Sequence, residues 1–286
     1  MSLRSLLVPI TGQPADEIVL EAAFTLGLSF DAHIDVVCIR PDPTDVVRYA
    51  VEWSYPILMD EAVASAERHS AGMGHKAAAI YDRWRAAHHL QVATGAPADG
   101  GVTVSWREHV GMGGDALREA APFADLVVMH SLGARGPIEG EGMLEATLFD
   151  AGRPVLLVPG KPVDTLSGTA LIAWDGGREA LHAVVAALPL LARMGTVHIL
   201  TVDSDDGTRA EELAVYLARH RIAATIRDVA RGRASVGEVV LDEAQHLAAG
   251  LLVMGGYHHS RTREMLFGGT TRHVIAAGKI PILLAH

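Results

Sequence analysis

The sequence predicts an α/β protein of two tandem domains, each a five-stranded, mainly parallel sheet with helices on both faces. Three observations predict it. Short apolar runs alternate with segments of helical period, the pattern restarts near residue 170, and glycines sit just past strand ends. At 286 residues the chain has room for two ordinary domains, and 49% apolar with 20% charged residues is the composition of a folded protein.

In the first half, Leu6-Leu7-Val8-Pro9-Ile10 reads as a buried strand, and Thr11-Gly12 turns into a helix patterned by Ile18, Ala22, Ala23 and Leu26. Ile34-Asp35-Val36-Val37-Cys38-Ile39 is a second strand, closed by Arg40-Pro41-Asp42-Pro43. A long helix from about residue 57 to 90 carries the stripe Met59, Val63, Ala66, Met73, Ala77, Ile80 and Trp84. That stripe reads as packing, covering either the other half or a second molecule, a homodimer. Val102-Thr103-Val104-Ser105-Trp106 alternates like a strand, and Asp115-Ala116-Leu117-Arg118 opens a helix. Leu126-Val127-Val128-Met129 and Pro154-Val155-Leu156-Leu157-Val158 are the last two strands.

In the second half, Ala170-Leu171-Ile172-Ala173-Trp174 is a strand, Asp175-Gly176 a turn, and residues 179–191 a helix. The strand Val197-His198-Ile199-Leu200-Thr201-Val202 follows, then a helix over 209–220 and the strand Ala224-Thr225-Ile226-Arg227-Asp228-Val229. Ser235-Val236-Gly237-Glu238 has the form of a capping box and starts the helix before Leu251-Leu252-Val253-Met254. After Gly255-Gly256 comes a polar run through His258 and His259 to Arg263, then Gly268-Gly269. Thr270-Thr271-Arg272 open a short helix, and Ile280-Pro281-Ile282-Leu283-Leu284 closes the chain.

The halves match element for element: residues 6–12 with 171–176, 125–129 with 250–254, and 152–158 with 278–284. We divide the chain into domains 1–160 and 161–286, the linker starting at Gly160-Lys161-Pro162. In sheets of this kind ligands sit beyond the carboxyl ends of the strands. Asp175, Val202 and Gly255 each lie at such an end, and glycines there let backbone amides approach a phosphate.

Composition narrows the function. A net charge of −10 argues against non-specific nucleic-acid binding, which needs a basic surface. The lone Cys38 rules out an intrachain disulfide, and no apolar run reaches the roughly 18 residues of a membrane span. Nothing has the shape of a signal peptide. The expectation is a soluble, cytoplasmic protein without membrane partners.

The arrangement resembles the universal stress protein (UspA-like) family in its tandem form, over nearly the whole chain. The likeness is carried by Ile172-Ala173-Trp174-Asp175-Gly176, Leu252-Val253-Met254-Gly255, Gly268-Gly269 and Ile280-Pro281-Ile282-Leu283. It implies the adenine nucleotide alpha hydrolase-like fold and an ATP-type nucleotide, with magnesium, in the second domain. It implies that Asp175, with Ala173 beside it, and the backbone near Val202 contact adenine. Met254 and Gly255 would flank the ribose, while Gly268, Gly269, Thr270 and Thr271 would hold phosphates. ATP-binding members carry Gly-x2-Gly-x9-Gly-Ser/Thr; here Gly255 and Gly268 fill the first and third positions. His258 stands at the second and Gly269 at the hydroxyl position, with Thr270 and Thr271 next. His258 either fills space that a phosphate would use or, protonated beside Arg261 and Arg263, donates to one. The resemblance further implies that the closing strands of the halves pair with each other, a pseudo-dimer within one chain.

In the first half, Thr11 replaces the aspartate and His130 the first glycine. Gly142-Met143-Leu144-Glu145 stands where the phosphate-binding pair belongs, so we read this half as an empty, structural copy. Gly111-Met112-Gly113-Gly114-Asp115-Ala116 fits the dinucleotide fingerprint, but the next strand ends in Met129-His130-Ser131 with no acidic residue for a ribose. Asp203-Ser204-Asp205-Asp206-Gly207 misses the calcium-loop spacing and reads as a solvated acidic loop. Adjacent histidines do not make a zinc site, and Cys38 reads as apolar filler. No base or water-positioning residue is identifiable, so no catalytic residue is assigned and ATP hydrolysis would be slow at most. The main expectation is therefore a nucleotide-binding, regulatory stress-response protein. Two alternatives remain open: a protein-interaction scaffold with both pockets degenerate, and an enzyme acting on an adenylated or phosphorylated small molecule.

Overall fold

Successive side chains on a strand point to opposite faces, so a strand buried on both faces must be apolar throughout. β1 (Ser5–Ile10) shows this: Leu6, Val8 and Ile10 enter one core and Leu7 the other. The protein is described from a computed structural model that covers residues 3–44, 56–93, 100–131, 137–160, 168–203, 208–256 and 269–286.

The first half continues with α1 (Ala15–Phe30), β2 (His33–Arg40), α2 (Pro56–Ala87), β3 (Gln91–Val92) and β4 (Thr103–Val110). It ends with α3 (Gly113–Ala120), β5 (Leu126–His130), α4 (Pro137–Glu145) and β6 (Val155–Val158). The second half runs β7 (Thr169–Ala173), α5 (Arg178–Leu191), β8 (Thr196–Val202), α6 (Thr208–Arg219) and β9 (Ala224–Val229). It closes with α7 (Val236–His246), β10 (Ala249–Gly255), α8 (Gly269–Ala277) and β11 (Ile282–Ala285).

All these strands join one 11-stranded sheet in the order β3-β4-β2-β1-β5-β6-β11-β10-β7-β8-β9. Neighbours are parallel except at the centre, where β6 and β11 run antiparallel with Ile282 opposite Leu157 and Leu284 opposite Val155. Each closing strand is apolar and buried and would otherwise leave an unpaired edge. Helices α1, α2, α5 and α6 cover a first face of the sheet; α3, α4, α7 and α8 cover the second. Among the described residues no helix is long and apolar enough to cross a membrane.

The capping box holds. The Ser235 hydroxyl accepts the Glu238 backbone N–H at 3.3 Å, and the Glu238 carboxylate accepts the Ser235 N–H at 2.7 Å. Those bonds, backbone first, hold the Glu238 carboxyl below its ordinary pKa. The buried stripe of α2 runs through Ser70, Ala77, Ile80, Tyr81 and Trp84, whereas Val63, Ala66 and Met73 are half-buried and the side chain of Met59 lies outside the described residues. An aromatic cluster seats this helix: Tyr81 meets Trp106 of β4 at 4.8 Å, and Trp84 meets Phe24 of α1 edge-on at 6.5 Å. Three elements differ from the sequence reading, among them α4, for which no helix was expected. β4 extends to Val110 because its outer residues pair with β2 up to Arg40, although they are polar. β3 adds a sixth strand of two residues, too short for any period to show.

Candidate functional site

The strand order reverses between β10 and β7. The connection from β7 passes to α5 on the first face, while β10 leads toward α8 on the second, so their carboxyl ends mark the switch point at which sheets of this kind place a ligand crevice. Its floor is apolar: Ala173 and Val202, the last residues of β7 and β8, pack into the second-face core with Met254, which is 5% exposed. Met254 therefore offers the crevice its backbone, since its side chain is committed to the core. Gly269, Thr270 and Thr271 form the first turn of α8, where free amides favour an anion. Gly269 is exposed with open space around it, Thr270 is half-buried, and Thr271 is buried. His258 and Gly268 lie outside the described residues, as do Arg261 and Arg263.

Asp175 is exposed, and its Oδ1 accepts the Gly177 backbone N–H at 2.8 Å. That turn, with Gly176 at φ +75°, sets the approach of the chain to α5. Asp203, just past β8, accepts the Arg231 N–H at 3.0 Å and pairs with the Arg231 guanidinium at 2.7 Å. The acidic loop thus begins by tying β8 to the β9–α7 connection; its residues 204–207 lie outside the described part.

Two glycine signals have packing causes. A Cβ at Gly255 would stand 2.5 Å from the Ala180 nitrogen, so the first turn of α5 lies directly on this strand end. In the fingerprint-like loop, a Cβ at Gly113 would meet Met143 Cγ at 2.7 Å and one at Gly114 the Gly142 carbonyl at 3.3 Å. These glycines let α3 and α4 approach. Gly237 does the same for α7 and α8, facing His273 at 3.0 Å.

The corresponding region of the first half is closed. Gly12, at φ +79°, lies under α2: its Cβ would be 2.5 Å from the Met73 carbonyl oxygen. Strand register sets His130 at the place of Gly255, since His130 pairs with the last residue of β6 and Gly255 with the last of β11. The His130 side chain is buried there, with Nδ1 2.8 Å from the Ser131 carbonyl. Gly142, Met143, Leu144 and Glu145 are not a helix start but the interior of α4, where Met143 and Leu144 are buried. Burial, then the charges of Glu141 and Asp150, raises the Glu145 pKa.

The turn after β1 in the first half is held by an internal anion. The fully buried Asp16 carboxylate accepts the backbone N–H groups of Thr11, Gly12 and Gln13 at 2.9, 2.7 and 2.9 Å. The sequence reading missed this residue. The signal available was an aspartate at the second position of a helix after a Thr-Gly turn.

Among the described residues no group of three or more His, Cys, Asp or Glu side chains could hold a metal ion. Cys38 is buried, and burial, with Glu108 next, pushes its thiol up to about 12, so it carries no thiolate at neutral pH.

A doubly wound sheet, duplicated and joined through its closing strands, with a crevice at the switch point, defines a tandem adenine nucleotide alpha hydrolase-like protein. Residues 168–286 match the model of the universal stress protein family. The whole chain is similar in fold to a universal stress protein from Archaeoglobus fulgidus DSM 4304, at 17% identity and a TM-score of 0.63, with 98% of this chain and 96% of that one covered. It is similar also to a functionally unknown protein from Pseudomonas aeruginosa PAO1, at 15% identity and a TM-score of 0.59, covering 99% and 92%. No curated protein matches the chain.

Proposed function

We propose that this universal stress-type protein binds ATP or a related adenine nucleotide, with magnesium, in the second half, and that it acts as a cytoplasmic regulator of a stress response. What supports the reading is that β10, β7 and β8 are neighbours in the sheet, with Ala173, Val202 and Met254 forming an apolar layer at their carboxyl ends, within the span that matches the family. The base would lie over Ala173 and Val202 near Asp175, the ribose against the backbone of Met254 and Gly255, and the phosphates at Gly269 and Thr270. By the spacing of the sequence, Gly268 and His258, which lie outside the described residues, would join Thr271 in holding the phosphates. The side chain of Thr271 is buried, so its contribution is an amide. The closed first half supports a single site per chain. Among the described residues no side chain is assigned as a base to the γ-phosphate. The test is to denature freshly purified protein, extract small molecules and identify them by mass, then titrate the stripped protein with nucleotide. An adenine nucleotide recovered or rebound is the expected result; a chain that carries none and binds none at millimolar concentration would make it a protein-interaction scaffold.

A further inference from the structure

The first face of the second half holds a cavity of about 530 Å³ between α5 and α6. It is lined by Trp174, Tyr216, Leu181 and the buried Leu213, with the exposed Arg178 and Arg209 beside them. We propose that this cavity binds a small aromatic anion, a planar ring bearing a carboxylate or a phosphate.

The duplication supplies an internal control for whether such a cavity is merely loose packing. In the first half the equivalent space is filled: α2, of 32 residues, lays its backbone over Gly12 and wedges Trp84 against Phe24 of α1. In the second half α6 has 12 residues, and what approaches Gly176 is the Arg209 side chain, with Cδ 3.5 Å from a Cβ built there. The space is therefore open in one copy only, and its lining is the kind that ligands use rather than the kind that defects leave.

Three features point to the ligand. The volume falls within the roughly 300–1,000 Å³ of small-molecule sites. Trp174 and Tyr216 offer flat apolar surfaces, which suit a ring. Arg209 is exposed and has no ion-pair partner among the described residues, while Arg178 has 70% of its side chain exposed and pairs only with its neighbour Glu179, at 3.1 Å. Guanidinium forks beside apolar walls match a planar oxyanion. Glu212 in the same lining disfavours a dianion lying deep and favours one charged end pointing outward between the arginines.

This inference does not rest on the nucleotide reading: the two sites adjoin at the turn around Asp175, but Trp174 packs on the first face whereas Ala173, Val202 and Met254 pack on the second. The experiment titrates the full chain with 2-naphthoate and, separately, 2-naphthyl phosphate, by calorimetry, with neutral 2-naphthol as control. Saturable binding of one anion per chain is expected, and the tighter of the two arms identifies the head group. Arg209→Ala, on an exposed side chain, should leave the thermal melt unchanged and raise the Kd about ten-fold, with Arg209→Lys intermediate. Tyr216→Ala should weaken both anions together. No saturable binding by the wild-type chain, an unchanged Kd in Arg209→Ala, or naphthol bound as tightly as the anions would each overturn it.

Discussion

Gly255 and Ala180 are in contact through their backbones: a Cβ on the glycine would stand 2.5 Å from the Ala180 nitrogen and 3.0 Å from its Cα. The glycine ending β10 is therefore required by the seating of α5, whether or not a ribose lies beside it. In the first half the equivalent strand end carries His130, whose side chain is buried. Gly255→Ala should destabilise the chain by about 1–3 kcal/mol through overlap with backbone atoms that cannot step aside. Urea unfolding checks it; a midpoint within error of wild type would mean that α5 can move.

Gly269 poses the opposite case. Nothing lies within 4 Å of a Cβ built on it, so a side chain fits. Gly269→Glu should leave the fold intact, because a carboxylate in the first turn of a helix is favourable. The same charge occupies the proposed phosphate position, so nucleotide affinity should fall at least about ten-fold, a loss of about 1.4 kcal/mol. Gly268→Glu should abolish binding in the same way, whereas changes at His130 should leave it unaltered. Undiminished binding in both glutamate variants would remove the phosphates from α8.

Asp16 is the internal anion of the first half. With three backbone N–H groups on one carboxylate, Asp16→Ala leaves buried donors unpaired and should cost about 1–3 kcal/mol or more in unfolding free energy. Sulfate or phosphate titrated into this variant should recover part of the lost thermal stability by entering the vacated nest, an effect absent in wild type. A variant as stable as wild type would contradict the account.

The pH dependence follows from His33 and His198, both held below the ordinary histidine pKa by burial. Asp35 opposes the shift at His33, whereas Arg227 adds to it at His198 before Glu243 partly offsets it. In the fold, Nδ1 of His33 lies 2.9 Å from the Thr103 hydroxyl and Nε2 lies 3.2 Å from that of Ser105. With a depressed folded pKa, each is protonated more readily in the unfolded chain. Their stabilisation is complete above the unfolded value of about 6.5 and is lost as pH falls through and below it. Urea midpoints should decline between about pH 7 and pH 5, and His33→Asn with His198→Asn should flatten that decline. Identical slopes in the two proteins would refute the assignment.

How far the sequence disclosed this structure depends on the range of the interaction involved. The strands were legible because burial on both faces makes them apolar runs, and Ser235 with Glu238 was legible because a cap is a contact within one turn. The glycines were visible, but their causes were not: Gly113 and Gly255 answer to Met143 and Ala180, residues of other helices brought close by the fold. Asp16 hid for a related reason, since its partners converge only once Gly12 adopts a positive φ. Trp174 read as the end of a strand, and only the spacing of α5 and α6 gives it a cavity. At the candidate crevice, Ala173, Val202 and Met254 were placed correctly at strand ends, but their division between floor and backbone depended on which face of the sheet each side chain entered.

The measurement that tests the central claim most directly is calorimetric titration of the nucleotide-stripped full chain with ATP and magnesium. The account predicts one site per chain, lost in Gly268→Glu and kept when His130 is changed. Two sites per chain, or binding that survives Gly268→Glu and disappears on changing His130, would contradict it.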